Sequence, residues 1–211
     1  MPLWVVPLLG AVTLSLQTQR TSLDLLDSLP VALIVHNGGS TLQTVRFPQP
    51  VEYAIEIRRD GKTLWNSLPP SPPPSVVFPT HARVFNAGTT TLTVYDWNEL
   101  ASDGSSLQPG RYTIVARLLS EKPQPEATLP VTFAAPLSPS ALSGLKSGDV
   151  VTMAGTLDND RLVLSDDHGQ ATLSRRLLGA PIGERVAVRG YAVTRPDGSH
   201  VFFVLRWAPL P

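Results

Sequence analysis

The chain has 211 residues, 42% of them hydrophobic, with 17 basic and 17 acidic side chains and no cysteine. That balance excludes charge-driven disorder and argues against a general nucleic-acid binder, which needs a basic excess to release counterions from phosphate. The missing cysteines exclude disulfides, thiolate zinc sites and thiol nucleophiles, and the length suffices for one large or two small cores.

The first stretch, "MPLWVVPLLGAVTLSLQ", is uncharged through Gln17 and strongly apolar from Pro2 to Leu16. It is short for a membrane span and suits a signal-peptide core. No Lys or Arg precedes it, and the small-x-small pattern at Thr13-Leu14-Ser15 is a weak cleavage signal. Residues 1–17 therefore read as a signal peptide or N-terminal anchor of an exported protein (periplasmic, cell-envelope or secreted). The alternative is a buried first strand in a cytoplasmic one.

From residue 31 the hydrophobic period is two, the sign of half-buried strands. "VALIVHN" and "TLTVYDW" read as strands. "VEYAIEIRR" puts Val51, Tyr53, Ile55 and Ile57 on one face, and "RYTIVARLL" does the same with Tyr112, Ile114, Ala116 and Leu118. Asp60-Gly61 is a tight-hairpin signal. "LQPGRY", with Pro109, Gly110 and Tyr112, has the form of a tyrosine corner, which gives Tyr112 a structural role. Next, "AAPLSPSALSG" has the small, uncharged composition of a linker. Beyond it "DVVTMAGTL", "RLVLSDD", "QATLSR", "RVAVRGYAVTR" and "HVFFVLRW" form five more strands.

The expected fold is thus all-β: an immunoglobulin-like β-sandwich over 18–134, a linker over 135–144, and a small five-stranded OB-like β-barrel over 145–211, whose glycines and bulges let strands bend.

Four pieces in this order, "LIVHN" ending at Asn37, "YAIEIRRDGKTLW" ending at Trp65, "YDW" ending at Trp97, and "LQPGRYTIVARL", resemble the intracellular proteinase inhibitor (BsuPI) family over residues 30–134. The resemblance implies an immunoglobulin-like sandwich and inhibition of subtilisin-type serine proteases. The chain departs from the family pattern after Trp65, where it carries a proline tract.

No catalytic constellation stands out, so an enzyme is not expected, nor a cofactor or metal. The four histidines, His36, His81, His168 and His200, are scattered, and His81 and His168 read as solvent-facing. Asp158, Asp160, Asp166 and Asp167 lack the order of a calcium loop and read as turn residues bonding their own backbone. In the barrel, residues 149–174 contain no aromatic platform for single-stranded nucleic acid. Tyr191, Phe202, Phe203 and Trp207 come late and are expected in its core, while Arg175, Arg176, Arg185, Arg189 and Arg195 form at most a modest surface patch.

The remaining candidate is "NSLPPSPPPSVVFPTH", with six prolines in residues 66–81. Proline fixes its own φ and biases the residue before it toward extended geometry, so the tract reads as a semi-rigid intradomain loop for a protein partner. Leu68, Pro69, Val77, Phe78 and His81 are its candidate contacts. Leu68 and Phe78 are each followed by proline, which makes a poor cleavable bond. Phe85-Asn86 and Leu100-Ala101 are chemically better bait bonds for a protease. The function this supports is a non-enzymatic proteinase inhibitor. The alternative is a cell-envelope interaction or assembly module, with glycan or nucleic-acid binding by the barrel behind it.

Overall fold

The computed structural model describes residues 12–69, 78–98, 102, 107–122 and 124–210. Candidates Val77, Leu100 and Ala101 lie outside them, as do residues 1–11 of the expected leader. The chain divides into two compact units. The first holds Met1–Thr21, Leu29–Leu107 and Arg111–Thr132, and the second holds Ser22–Ser28, Gln108–Gly110 and Phe133–Pro211.

The strands of the first unit are β1 (Val12–Gln17), β3 (Leu29–Asn37), β4 (Gln43–Phe47), β5 (Tyr53–Arg59), β6 (Lys62–Asn66), β7 (His81–Phe85), β8 (Gly88–Trp97), β9 (Gly110–Leu118) and β10 (Glu126–Ala134). One sheet has the order β1-β3-β8, a second runs β10-β9-β5-β6, and β4 and β7 make a two-stranded sheet. The alternation of the sequence decides which side chains meet inside. Ile55 and Ile57 on β5 and Tyr112, Ile114, Ala116 and Leu118 on β9 are buried, and so are Leu29, Val31, Leu33 and Val35 on β3. Each such large side chain contributes about 1.5–3 kcal/mol by leaving water. Trp97 of β8 packs on Tyr112 of β9 with ring centroids 5.7 Å apart, joining the two sheets. The result is an immunoglobulin-like sandwich.

The last six residues of the expected leader are strand. Val12–Gln17 pairs antiparallel with β3, from Val12 opposite Asn37 to Gln17 opposite Ala32. Its alternate apolar residues Val12 and Leu14 pack on a cluster of Val35, Phe47, Phe85 and Leu118.

The second unit contains β2 (Ser22–Asp24) and β11 (Val150–Leu157), β12 (Val163–Asp166), β13 (Gly169–Thr172), β14 (Arg185–Thr194) and β15 (His200–Pro209). The last five run in the order β13-β12-β11-β14-β15. A parallel bridge between Leu173 and Phe202 closes the ring. Numbered one to five along the chain, these strands read 3-2-1-4-5 and back to 3, an OB-like barrel. Its core is Met153, Leu157, Leu164, Leu173, Val186, Val188 and Phe202 with their neighbours. The bend needs glycine where backbones close in. At Gly190, beside a register shift in the β14–β15 pairing, a Cβ would stand 2.1 Å from the Phe203 carbonyl oxygen.

The linker expectation is corrected by this unit. Within 135–144, Pro139–Gly144 is a short 3₁₀ helix with Ser138 capping it. Leu142 is buried in the barrel core, and Leu137 bridges Met153. The segment's composition is that of a linker, but the buried side chains of Pro139 and Leu142 make it part of the barrel. Phe203 also departs from expectation: it is 40% exposed and stacks on Tyr191 at 5.3 Å outside the barrel, because only alternate β15 residues face inward.

Candidate functional site

The described ends of the 66–81 loop are both fastened to the sandwich. At its start the Ser67 amide donates to the Ile55 carbonyl at 2.9 Å, the Ile55 amide donates to Ser67 Oγ at 2.9 Å, and the Leu68 amide donates to Asn66 Oδ1 at 3.0 Å. Ser67 thereby extends the β5–β6 ladder by one residue beyond Asn66 and fixes the direction in which Leu68 and Pro69 leave. Both are exposed, Leu68 at 39%. They line an open groove of about 740 Å³ with Glu56, Thr63, Trp65, Asn66 and Ser102. The Trp65 ring in that groove stacks on Tyr95 of β8 at 4.8 Å.

At the far end Phe78 is 37% exposed, and the chain joins β7 at His81. That histidine is half-buried rather than solvent-facing. Its ring stacks on Phe47 at 5.2 Å, and Nε2 lies 3.3 Å from Glu52 Oε1. Glu52 also holds Arg83 of the same strand.

Electrostatics around the groove follow from this packing. Burial works against ionisation of Glu56, yet hydrogen bonds from Arg58 and Thr63 and the charge of Arg117 outweigh it and hold the carboxyl below its ordinary range. Burial first, and then the charge of Asp96, push the Tyr95 hydroxyl up to about 12. Tyr95 and Ser67 are contributors that sequence reasoning did not single out. Tyr95 stood in the quoted "YDW", but its partner is thirty positions away.

Phe85 is not available as a partner contact. It is 1% exposed and packs with Val35, Phe47 and Leu118, so the Phe85-Asn86 bond cannot be offered to a protease although Asn86 itself is exposed. The motif residues have structural work. The Asn37 amide nitrogen donates to the Thr41 and Phe85 carbonyls at 2.8 and 3.1 Å, and its oxygen accepts from the Gly39 amide at 3.0 Å. Asp60 and Gly61 turn the β5–β6 hairpin with φ of 50° and 78°. Arg59 Nη1 donates to the Tyr112 hydroxyl at 3.2 Å. Trp97 is fully buried.

In the barrel the acidic turns bond their own backbone: Asp158 Oδ1 accepts from Leu162 and Val163, and Asp166 Oδ1 from His168 and Gly169. Among the described residues no group of His, Asp and Glu side chains could hold a metal ion. Arg189 is not part of a surface patch: it is 8% exposed and bonds Asp24 and Asp27.

No family model matches the chain, and no curated protein does. Solved structures with likeness include the CARDB domain of the PF1109 protein from Pyrococcus furiosus, in complex with di-metal ions, at 13% identity and a TM-score of 0.34 over 59% of this chain and 88% of that one. Others are a β-glucosidase from Erythrobacter marinus, at 17% identity and a TM-score of 0.33 over 58% of this chain, and one from Listeria innocua in complex with glucose, at 12% identity and 0.34 over 59%. This chain covers 16% of each glucosidase. At such scores these likenesses say nothing of what the chain does.

Proposed function

We propose that the chain is a non-enzymatic binding protein that presents the 66–81 loop to a protein partner, and that the partner is a serine protease of the subtilisin type. The observation that supports this most is the fastening of both described loop ends, through Ser67 to β5 and through His81 to Phe47 and Glu52. A loop whose ends are already held loses less entropy on docking, and six prolines lie in the sequence 66–81. The partner class rests on the resemblance of residues 30–134 to the BsuPI family. With Phe85 buried, Leu68 and Phe78 are, among the described candidates, large apolar residues exposed to fill a protease pocket.

The test is titration of a subtilisin-type protease with the full chain and with a variant whose 66–81 loop is shortened. Stoichiometric inhibition by the first and its loss in the second support the reading. Unchanged protease activity in excess of the chain, or simple digestion of it, counts against it.

One observation favours a second reading, an interaction module in which the barrel makes the contact. Val150 faces Tyr191 across β11–β14, and Tyr191 faces Phe203 across β14–β15. Val150 and Phe203 are 47% and 40% exposed, with Leu205 at 53%. If Phe203→Ala abolishes partner capture while loop shortening leaves it intact, the module reading replaces the first.

A further inference from the structure

Residues 173–184 join β13 to β14 of the barrel, and the stretch "SRRLLGAPIG" within them carries Arg175 and Arg176 but no acidic side chain. Two minus zero leaves +2, and Glu184 and Arg185, next in the chain, cancel. The whole chain is neutral, so this is a local excess. Both arginines are exposed, and among the described residues neither meets a carboxylate at ion-pair distance. Arg175 Nη2 donates to the Leu205 carbonyl at 3.4 Å, which uses only one of the donors of its guanidinium.

Just beyond them stands an apolar tip. The Ala180 amide donates to the Leu177 carbonyl at 3.1 Å, and Gly179 has φ of +80°, the left-handed residue that such a turn takes at its third position. At the second position Leu178 is 79% exposed, whereas Leu177 and Ala180 at the two ends are each 1% exposed. Arg161 clamps both ends. Its carbonyl accepts from the Leu177 amide at 3.1 Å, and its Nε donates to the Ala180 carbonyl at 3.0 Å. A lone exposed leucine is ordinary on a protein surface. This one is held out by a turn fastened at both ends, and it shares a cavity of about 430 Å³ with Arg175, Arg176, Leu177 and Trp207.

We propose that this turn docks the protein on an anionic bilayer surface, with the Leu178 side chain entering the acyl boundary and Arg175 and Arg176 meeting the phosphates of the headgroups. A bilayer face offers diffuse negative charge beside a fluid apolar phase, so it needs neither arginines converging on one point nor a fitted pocket. Guanidinium forks bond phosphate oxygens, and tryptophan, here Trp207, favours the headgroup level. With one apolar tip and two charges the contact is peripheral and reversible. It is independent of the loop reading, since no residue of 66–81 takes part.

The test is co-sedimentation of the full-length protein with vesicles of phosphatidylcholine alone and of phosphatidylcholine with phosphatidylglycerol in equal parts. The expected result is binding to the anionic vesicles only, weakened by added salt. Leu178→Ser, and the double variant Arg175→Gln with Arg176→Gln, should each lose roughly tenfold or more in vesicle affinity while keeping the parent's denaturation midpoint. Failure to sediment with anionic vesicles, equal binding to neutral ones, or parental affinity in both variants would overturn the proposal. So would self-association of the lipid-free protein that Leu178→Ser abolishes, which would make a second copy the occupant of this surface.

Discussion

Asn37 combines the burial of a core residue with three hydrogen bonds to backbone. Removing its amide leaves two carbonyls and one amide without that partner, and each buried loss costs about 1–3 kcal/mol. Asn37→Ala should therefore lower unfolding free energy by about 2–4 kcal/mol, measured by chemical denaturation. Tyr95 gives a pH signature. Its folded pKa of about 12 lies above the ordinary 10.0, so the folded state holds the proton more tightly. The stabilisation is complete below pH 10 and is lost as pH rises through the folded value. Spectroscopic titration should show one tyrosine ionising near pH 12, and Tyr95→Phe should remove that step. At this scale the sequence marked Asn37 and Tyr112 through motif form. It misplaced Phe85 because nothing local to "RVFNAG" reveals its burial, which comes from Val35, Phe47 and Leu118, all distant in the chain.

Among the elements, two glycines separate backbone conformation from space. At Gly61, φ is +78° and an added Cβ would meet nothing within 4 Å, so Gly61→Ala should cost only the left-handed backbone term, about 1–2 kcal/mol. At Gly190 a Cβ would collide with the Phe203 backbone, and β14 and β15 cannot separate without opening the barrel. Gly190→Ala should cost about 3 kcal/mol or more, read as the difference between the two variants' denaturation midpoints. Strands were the most legible elements because alternation of apolar and polar residues is a local property: β3, β5, β8, β9 and all five barrel strands were visible in it. The β1 strand was obscured because its apolar run continues from the residues before it. The 3₁₀ helix at Pro139–Gly144 was hidden in a linker-like composition, since only Pro139 and Leu142 are buried in it.

Across the whole molecule, the barrel unit includes a segment from far up the chain. Thr152 Oγ1 donates to the Leu25 carbonyl at 2.6 Å, and Arg189 donates to Asp24 at 3.1 Å and to Asp27 at 2.7 Å. Removing one partner of a buried ionic set leaves uncompensated charge, so Arg189→Ala should destabilise this unit by about 3–5 kcal/mol in a denaturant melt. No local pattern could reveal such contacts, because the partners are separated by 127 to 165 residues. For the same reason the sequence suggested a stiff loop between β6 and β7 but not how Ser67 and His81 fasten it. That fastening is the basis for reading the protein as a loop-presenting inhibitor. Its most direct test is titration of a subtilisin-type protease with the parent chain and with a variant whose residues 70–77 are replaced by a Gly-Ser segment of equal length. The account predicts one-to-one inhibition by the parent and a large loss of potency in the variant, whose loop keeps its length but lacks the prolines. Equal potency of the two chains, or no inhibition by the parent, would contradict it.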